Sequence, residues 1–488
     1  MLSRKEFMMP IRHIVCALVL LTAVGMAWGQ DSSGQDPNSQ QSTPPPAAFG
    51  QEGSPVVIND NPPISGLDQP SLEPNIQPRS MLLGGVEGSE SLDTNIGSDA
   101  TPAIHSVTRG LGGLTMQRLW NRYQLAAAYV GGVGYYNQSG LGLRQIHELQ
   151  AQQTMLWKTG QFAIRDSFSY LPEGTFGYGS YGGAGGFQLG LGGIGEGMGI
   201  IGSAFGGHYG MLGSNQLGTL GEAPHITNVV VADVVESLTP RSSVTAAGSY
   251  GLVHFTDNNS QNLINSRQYG GQAGYNYSIS AKDQIAITGG FMGFEFPGVV
   301  GADNVHTEVV QLMYGHRISG RMDLVMGAGP QWTRISDPLS GTNTRLTGSG
   351  QFTLRYRFRK TSLAASYQRY DTSGSGFFAG GQSDIARLSL TRPFGRRYTA
   401  QADMGFARTK RLQSVNLGVN ADSFDYAFAG FAVRRQFGYN WGAFLAYQWN
   451  DQILDKSFCT AGVPCNRISV RHVLTIGVDW HFHPIRLD

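Results

Sequence analysis

Six charged residues stand where their chemistry would be electrostatic rather than covalent: Arg355, Arg357, Arg471, Asp323, Asp403 and Asp479. The clearest setting is residues 344–358. Leu346, Phe352, Leu354, Tyr356 and Phe358 fall on one phase, and Thr347, Ser349, Gln351, Thr353, Arg355 and Arg357 on the other. A β-strand sends successive side chains to opposite faces, so the arginines share a face with hydroxyls and amides while the rings point away. Facing lipid, an Arg or Lys at mid-membrane costs about 2–4 kcal/mol. The charged phase therefore belongs against water, where it forms a solvated wall that attracts counter-ions. The two signs are nearly balanced across the six residues, so no strong ion preference is expected.

The other candidates for chemistry are weaker. Residues 171–224 contain G-x-G-x-x-G twice, at Gly190, Gly192, Gly195 and at Gly197, Gly199, Gly202. A dinucleotide fingerprint needs a preceding strand, a following helix and an acid about twenty residues on. None is evident here, and glycine is so frequent in the segment that the matches are expected by composition. Its apolar members, among them Phe187, Leu189, Ile200, Ile201 and Phe205, are too many for a free solvated loop, which suggests one folded inward as a constriction. His481 and His483 share a strand phase, but two imidazoles without a third ligand do not make a metal site. No G-x-S-x-G occurs, and no catalytic set or cofactor is assigned.

The elements that must position the charges follow one design, shown best by Ile468–Phe482. Every second residue there is apolar (Ile468, Val470, Leu474, Ile476, Val478, Trp480, Phe482) except His472, and the alternate phase is small or polar except Val473. Fifteen residues exceed the 9–11 that a tilted strand needs to cross a bilayer. Similar segments fall at 123–136, 145–157, 162–170, 225–237, 243–255, 267–280, 284–296, 304–319, 322–335, 344–358, 361–371, 383–394, 397–409, 422–437 and 440–450. Residues 147–157 also have helix-forming composition, so a helix is the alternative there. Short turns alternate with long connections throughout, which places all short turns at one end of the strands. Composition agrees: 68 of 488 residues are Gly, only 14% are charged and the formal net charge is +1. The balance gives no nucleic-acid surface, and the slightly negative mean hydropathy excludes a helical membrane protein.

Residues 1–29 read as a signal peptide, with Arg4, Lys5, Arg12 and His13 ahead of an apolar core and Ala27-Trp28-Gly29 as the cleavage region. Cys16 would leave with it. Residues 30–118 read as a disordered Pro/Ser/Gln-rich tail, in which Val56-Val57-Ile58 and Met81-Leu82-Leu83 are apolar patches able to dock. Cys459 and Cys465 lie in one polar loop, and export exposes them to an oxidising compartment. They are expected to be oxidised to each other, so maleimide should fail to label the non-reduced protein. Ready labelling of both would show them to be free thiols.

From about residue 119 to 488 the chain resembles a bacterial outer-membrane β-barrel protein of porin size. The resemblance rests on the signal peptide, the alternating segments, the loop asymmetry and the aromatic end of the last segment (Trp480, Phe482). One departure is that His483 to Asp488 follow the final aromatic residue. The resemblance implies an all-β, transmembrane, antiparallel up-and-down barrel of about sixteen strands, closed by pairing 123–136 with 468–482. It also implies contacts with outer-membrane lipid and the outer-membrane assembly machinery, leaves room for a homo-oligomer, and places the protein in the bacterial outer membrane. The expected function is a porin-like channel for passive diffusion of small hydrophilic solutes. The alternative is a non-conducting barrel acting as a surface-binding or anchoring protein.

Overall fold

Alternation becomes pairing in the computed structural model, which describes residues 62–67, 80–95, 103–137, 142–172, 224–256, 263–299, 301–337, 341–358, 360–374, 376, 378–395, 397–413, 421–455, 457 and 467–487. The signal peptide, most of the tail, the Gly-rich loop and both Cys459 and Cys465 lie outside the described residues. The strands are β1 (Met81–Asp93), β2 (His105–Leu119), β3 (Tyr123–Tyr136), β4 (Gly142–Leu156), β5 (Gly160–Leu171), β6 (His225–Thr239), β7 (Ser242–Phe255), β8 (Ser266–Ser278) and β9 (Asp283–Glu295). They continue as β10 (Asn304–Ser319), β11 (Met322–Asp337), β12 (Gly341–Arg357), β13 (Ser362–Thr372), β14 (Gly381–Phe394), β15 (Tyr398–Arg411), β16 (Ser423–Phe437), β17 (Trp441–Leu454), β18 (Ile468–His481) and the two-residue β19 (Ile485–Arg486).

From β1 to β18 each strand pairs antiparallel with the next, and β18 pairs with β1, from Val473 opposite Asp93 to His481 opposite Gly85. The result is a closed barrel of eighteen strands, with β19 extending the seam through Arg486 opposite Met81. Closure gives each strand from β1 to β18 a paired neighbour on both sides, which removes the open sheet edge that lipid does not tolerate.

Two expectations need correction. The barrel begins at Met81, not near residue 119, because β1 and β2 arise from the stretch read as tail. In consequence 123–136 does not meet 468–482: β1 and β2 stand between them. The reason is composition. On β1 the outward phase carries Leu82, Val86 and Leu92 as its large apolar groups, interrupted by Gly84, Gly88 and Glu90, while Glu87, Ser89, Ser91 and Asp93 are buried. Glycine at position 84 has a local use. An added Cβ there would lie 2.5 Å from the Phe482 ring, so the last aromatic residue packs where β1 has no side chain. The helical alternative for 147–157 also fails. The segment belongs to β4, with Ile146, Glu148 and Gln150 buried and Leu149 exposed between them.

The two faces differ as a membrane requires. Leu312, Leu346, Phe352, Phe406, Leu445 and Ile476 are exposed on the outer face. Near the short turns, Trp120, Trp157, Tyr398, Phe437 and Trp441 form an exposed aromatic belt. Arginines lie over some of these rings, Arg118 at 5.1 Å from Trp120 and Arg435 at 4.7 Å from Phe437. The short turns themselves carry exposed Arg122, Lys158, Arg241, Lys282, Arg321, Lys360 and Arg397.

Candidate functional site: the barrel interior

The buried phase is the concave one. Side chains on strands that are not neighbours meet across an intervening strand: Gln311 on β10 donates to Ser349 on β12 at 3.0 Å, and Arg434 on β16 reaches Asp479 on β18 at 2.8 Å. Such contacts form only on the inside of a curved sheet. All the sequence-selected acids and Arg471 lie on this phase, buried, and Arg355 is mostly buried.

Register decides which of them meet. Arg355 stands directly opposite Asp323, with Nε 3.4 Å from the carboxylate. Arg357 lies at the end of β12, where its N–H donates to the Arg321 carbonyl at 2.7 Å. The other selected residues meet partners that the sequence reading did not single out. Asp403 accepts two bonds from Arg387, at 2.9 and 2.7 Å, in the bidentate geometry that guanidinium and carboxylate favour. Asp479 pairs with Arg434, and Glu87 of β1 stands directly across from Asp479. Arg471 pairs with Asp93 through Nε at 2.7 Å and also through Nη2. One further buried pair, Arg165 with Asp233, joins β5 to β6.

The wall is not uniformly polar. Leu111, Ala128, Val130, Ile146, Val229 and Val231 form an apolar strip over the inner face of β2 to β6. A second strip, Ile385, Ala407, Phe424, Tyr426 and Phe428, covers β14 to β16, and Phe378 from the β13–β14 connection packs on it. The inside of this barrel therefore offers ion pairs and apolar surface side by side. A two-colour scheme of greasy outside and wet inside does not describe it.

The interior is what decides the assignment. A closed barrel with an apolar, aromatic-belted outside and an inside carrying Arg–carboxylate pairs is stable only with lipid around it and polar groups within. The chain is a transmembrane β-barrel. Its β13–β14 connection folds inward at the long-loop end. Gly376 O accepts from Ile264 N–H at 2.8 Å, Ala379 joins Phe294 and Val305, and Gly380 O accepts from Leu412 N–H at 3.1 Å. Gly374, Gly376 and Gly380 have φ of 88°, 82° and 88°, the left-handed backbone that glycine adopts without strain. At the base of the connection, Asp371 accepts from Thr307 at 3.0 Å and also from Thr333, tying β13 to β10 and β11. Residues 173–223 of the inward loop expected at 171–224 lie outside the described residues, and the β13–β14 connection carries no sequence signal beyond its glycines.

No protein-family model and no curated protein matches the sequence. Among solved structures, the chain is similar to OccK2 (OpdF) of Pseudomonas aeruginosa at 10% identity and a TM-score of 0.41, covering 83% of this chain and 98% of that one. It is similar to the outer membrane protein opdK of the same species at 8% identity and 0.41, covering 83% and 98%. A BenF-like porin from Pseudomonas fluorescens Pf-5 aligns at 10% identity and 0.40, covering 84% and 99%.

Proposed function

We propose that the barrel is a porin-like channel through which small hydrophilic solutes diffuse passively. The observation that carries this reading is the set of charged residues on the inner face of an eighteen-stranded wall. Barrels of sixteen to eighteen strands are wide enough to hold an aqueous channel. Paired charges give a wall that tolerates water and polar solutes without a strong field of either sign. The reading involves no catalytic step and no cofactor.

Planar-bilayer recording of the purified barrel tests it. Stepwise conductance is expected, and small sugars should swell vesicles that contain the protein. A folded barrel that passes neither ions nor sugars would refute the channel and leave a surface-binding or anchoring protein.

Arg355 and Arg357 give a finer test of the wall. Both lie at the short-turn end of β12, and Arg355 offsets the charge of Asp323. Replacing both with Gln leaves Asp323 with Arg317, its register partner on β10, as the remaining cation and removes positive potential, so the reversal potential under a salt gradient should shift towards cations. The shift should shrink as salt rises and screens the wall. An unchanged reversal potential in a conducting double variant would remove both residues from the solute path.

A further inference from the structure

Pro62–Leu67 lies upstream of every strand, yet it sits against the inside of the barrel. Pro63 to Gly66 form a β-turn, closed by Gly66 N–H donating to Pro63 O at 3.0 Å. Two successive prolines fix φ ahead of the turn, which lowers the entropy lost on ordering it. Ile64 is buried against Ala286 of β9, Met313 of β10 and Val325 of β11. Leu67 is buried in the apolar strip over β2 to β6.

Ser65 is read by its main chain and its hydroxyl together. Its N–H donates to Asn276 Oδ1 at 3.0 Å, and its carbonyl accepts from Gln272 Nε2 at 3.3 Å. Its Oγ lies 2.6 Å from Thr245 Oγ1 and also accepts from Asn276 Nδ2. The wall is shaped for this guest. A Cβ at Gly274 would come within 2.5 Å of Ser65 Cβ, and one at Gly315 within 2.9 Å of Ile64 Cγ2. Thr245, Asn276, Gly315 and Val325 all fall in the halves of their strands nearest the short turns. No residue of 62–67 belongs to a strand, so the turn can leave without opening any strand pair.

We propose that the inner wall of β7 to β11 is a peptide-binding site for a Pro-Ile-Ser-Gly turn. The chain fills it in cis, and the docked turn is a detachable stopper that narrows the short-turn mouth. The inference goes beyond the channel reading, because occupancy of the mouth can be read without any current.

The test uses the full-length protein with Cys459 and Cys465 replaced by Ser. In that background Thr245→Cys, shielded by Ser65, should react slowly with a membrane-impermeant maleimide. Adding Ile64→Asp and Leu67→Asp places charges in the two apolar seats and should expel the turn. Labelling should then accelerate roughly tenfold, since access follows the population of the open state. Single-channel conductance should rise in the same variant. Heat-modifiable migration in gels establishes that each variant is folded. A separate pair, Ser65→Cys with Thr245→Cys, places two sulfurs where the hydroxyls now touch and should form a disulfide that holds conductance low until reduced. Equal labelling rates with and without the Asp substitutions, or no disulfide in the folded pair, would overturn the proposal. Faster labelling of an expelled variant that still carries no current would keep the stopper and reject the channel.

Discussion

A chain that begins at Ser80 is expected to refold into the full barrel, and a chain that begins at Trp120 is not. The first truncation removes the docked turn but no strand. The second removes β1 and β2, which leaves β18 and β3 as open edges. In lipid an unpaired backbone group costs several kcal/mol, because no water replaces the lost partner. β18 would lose nine residue pairings with β1, so the deficit far exceeds what any side-chain contact returns. The effect should be all or none. The Ser80 chain should keep heat-modifiable migration after refolding into detergent, and the Trp120 chain should run as unfolded. A Trp120 chain that folds and pairs β3 with β18 would show that sixteen strands suffice and that β1 and β2 are dispensable.

This expectation depends on a part of the fold that the sequence concealed. The sixteen segments from Tyr123 onward all appear as strands, because long outward runs such as Leu346 to Phe358 and Ile468 to Trp480 state their phase repeatedly. β1 and β2 do not state it. Their outward positions include Gly88, Gly110 and Gly112, and their surroundings are rich in Pro and Ser, so composition outweighed periodicity. The interior was legible as a phase but not as a set of partners. Arg387 and Asp403 lie on β14 and β15, which one short turn joins; the turn pins the register, with Asp403 opposite Ser389 and Arg387 two residues along, so that pair is within reach of the sequence. Arg434 and Asp479 meet across β17, and such a contact follows from barrel curvature rather than from hairpin geometry. Asp93 lay in the stretch read as tail, so its pairing with Arg471 had no sequence signal at all. The inward β13–β14 loop is legible in the sequence only as a long connection. Its glycines permit the bend, but what it bends onto is set by residues of β9, β10 and β16.

Arg471 and Asp93 form a buried side-chain clasp of the closing seam, and breaking it should cost a large part of the barrel's stability. Both are buried, at 2% and 1% exposure, and they join the last full strand to the first. Arg471→Gln leaves the Asp93 carboxylate buried beside an amide that cannot replace the charge. Removing one partner of a buried pair costs about 3–5 kcal/mol, most of it the penalty of the charge left behind. The remaining bond to Asp93, from Asn95 N–H at 3.0 Å, only partly compensates. Asp93→Asn alone should cost a similar amount for the opposite reason, a buried guanidinium that has lost its carboxylate. The double variant removes both charges and keeps two hydrogen-bonding amides, so it should recover most of the loss. Urea midpoints of barrels folded in lipid vesicles would measure this, provided the m-value stays constant across the set. If Arg471→Gln unfolds at the parent midpoint, closure is held by the β1–β18 backbone ladder and the neutral side-chain bonds across it, such as Ser91 to Thr475 at 2.9 Å. The interior charges then serve the contents of the barrel rather than its wall. If both single variants fall and the double variant recovers, the wall depends on the pairs, and altering selectivity at Asp323, Asp403 or Asp479 will cost stability unless the partner arginine is changed with it.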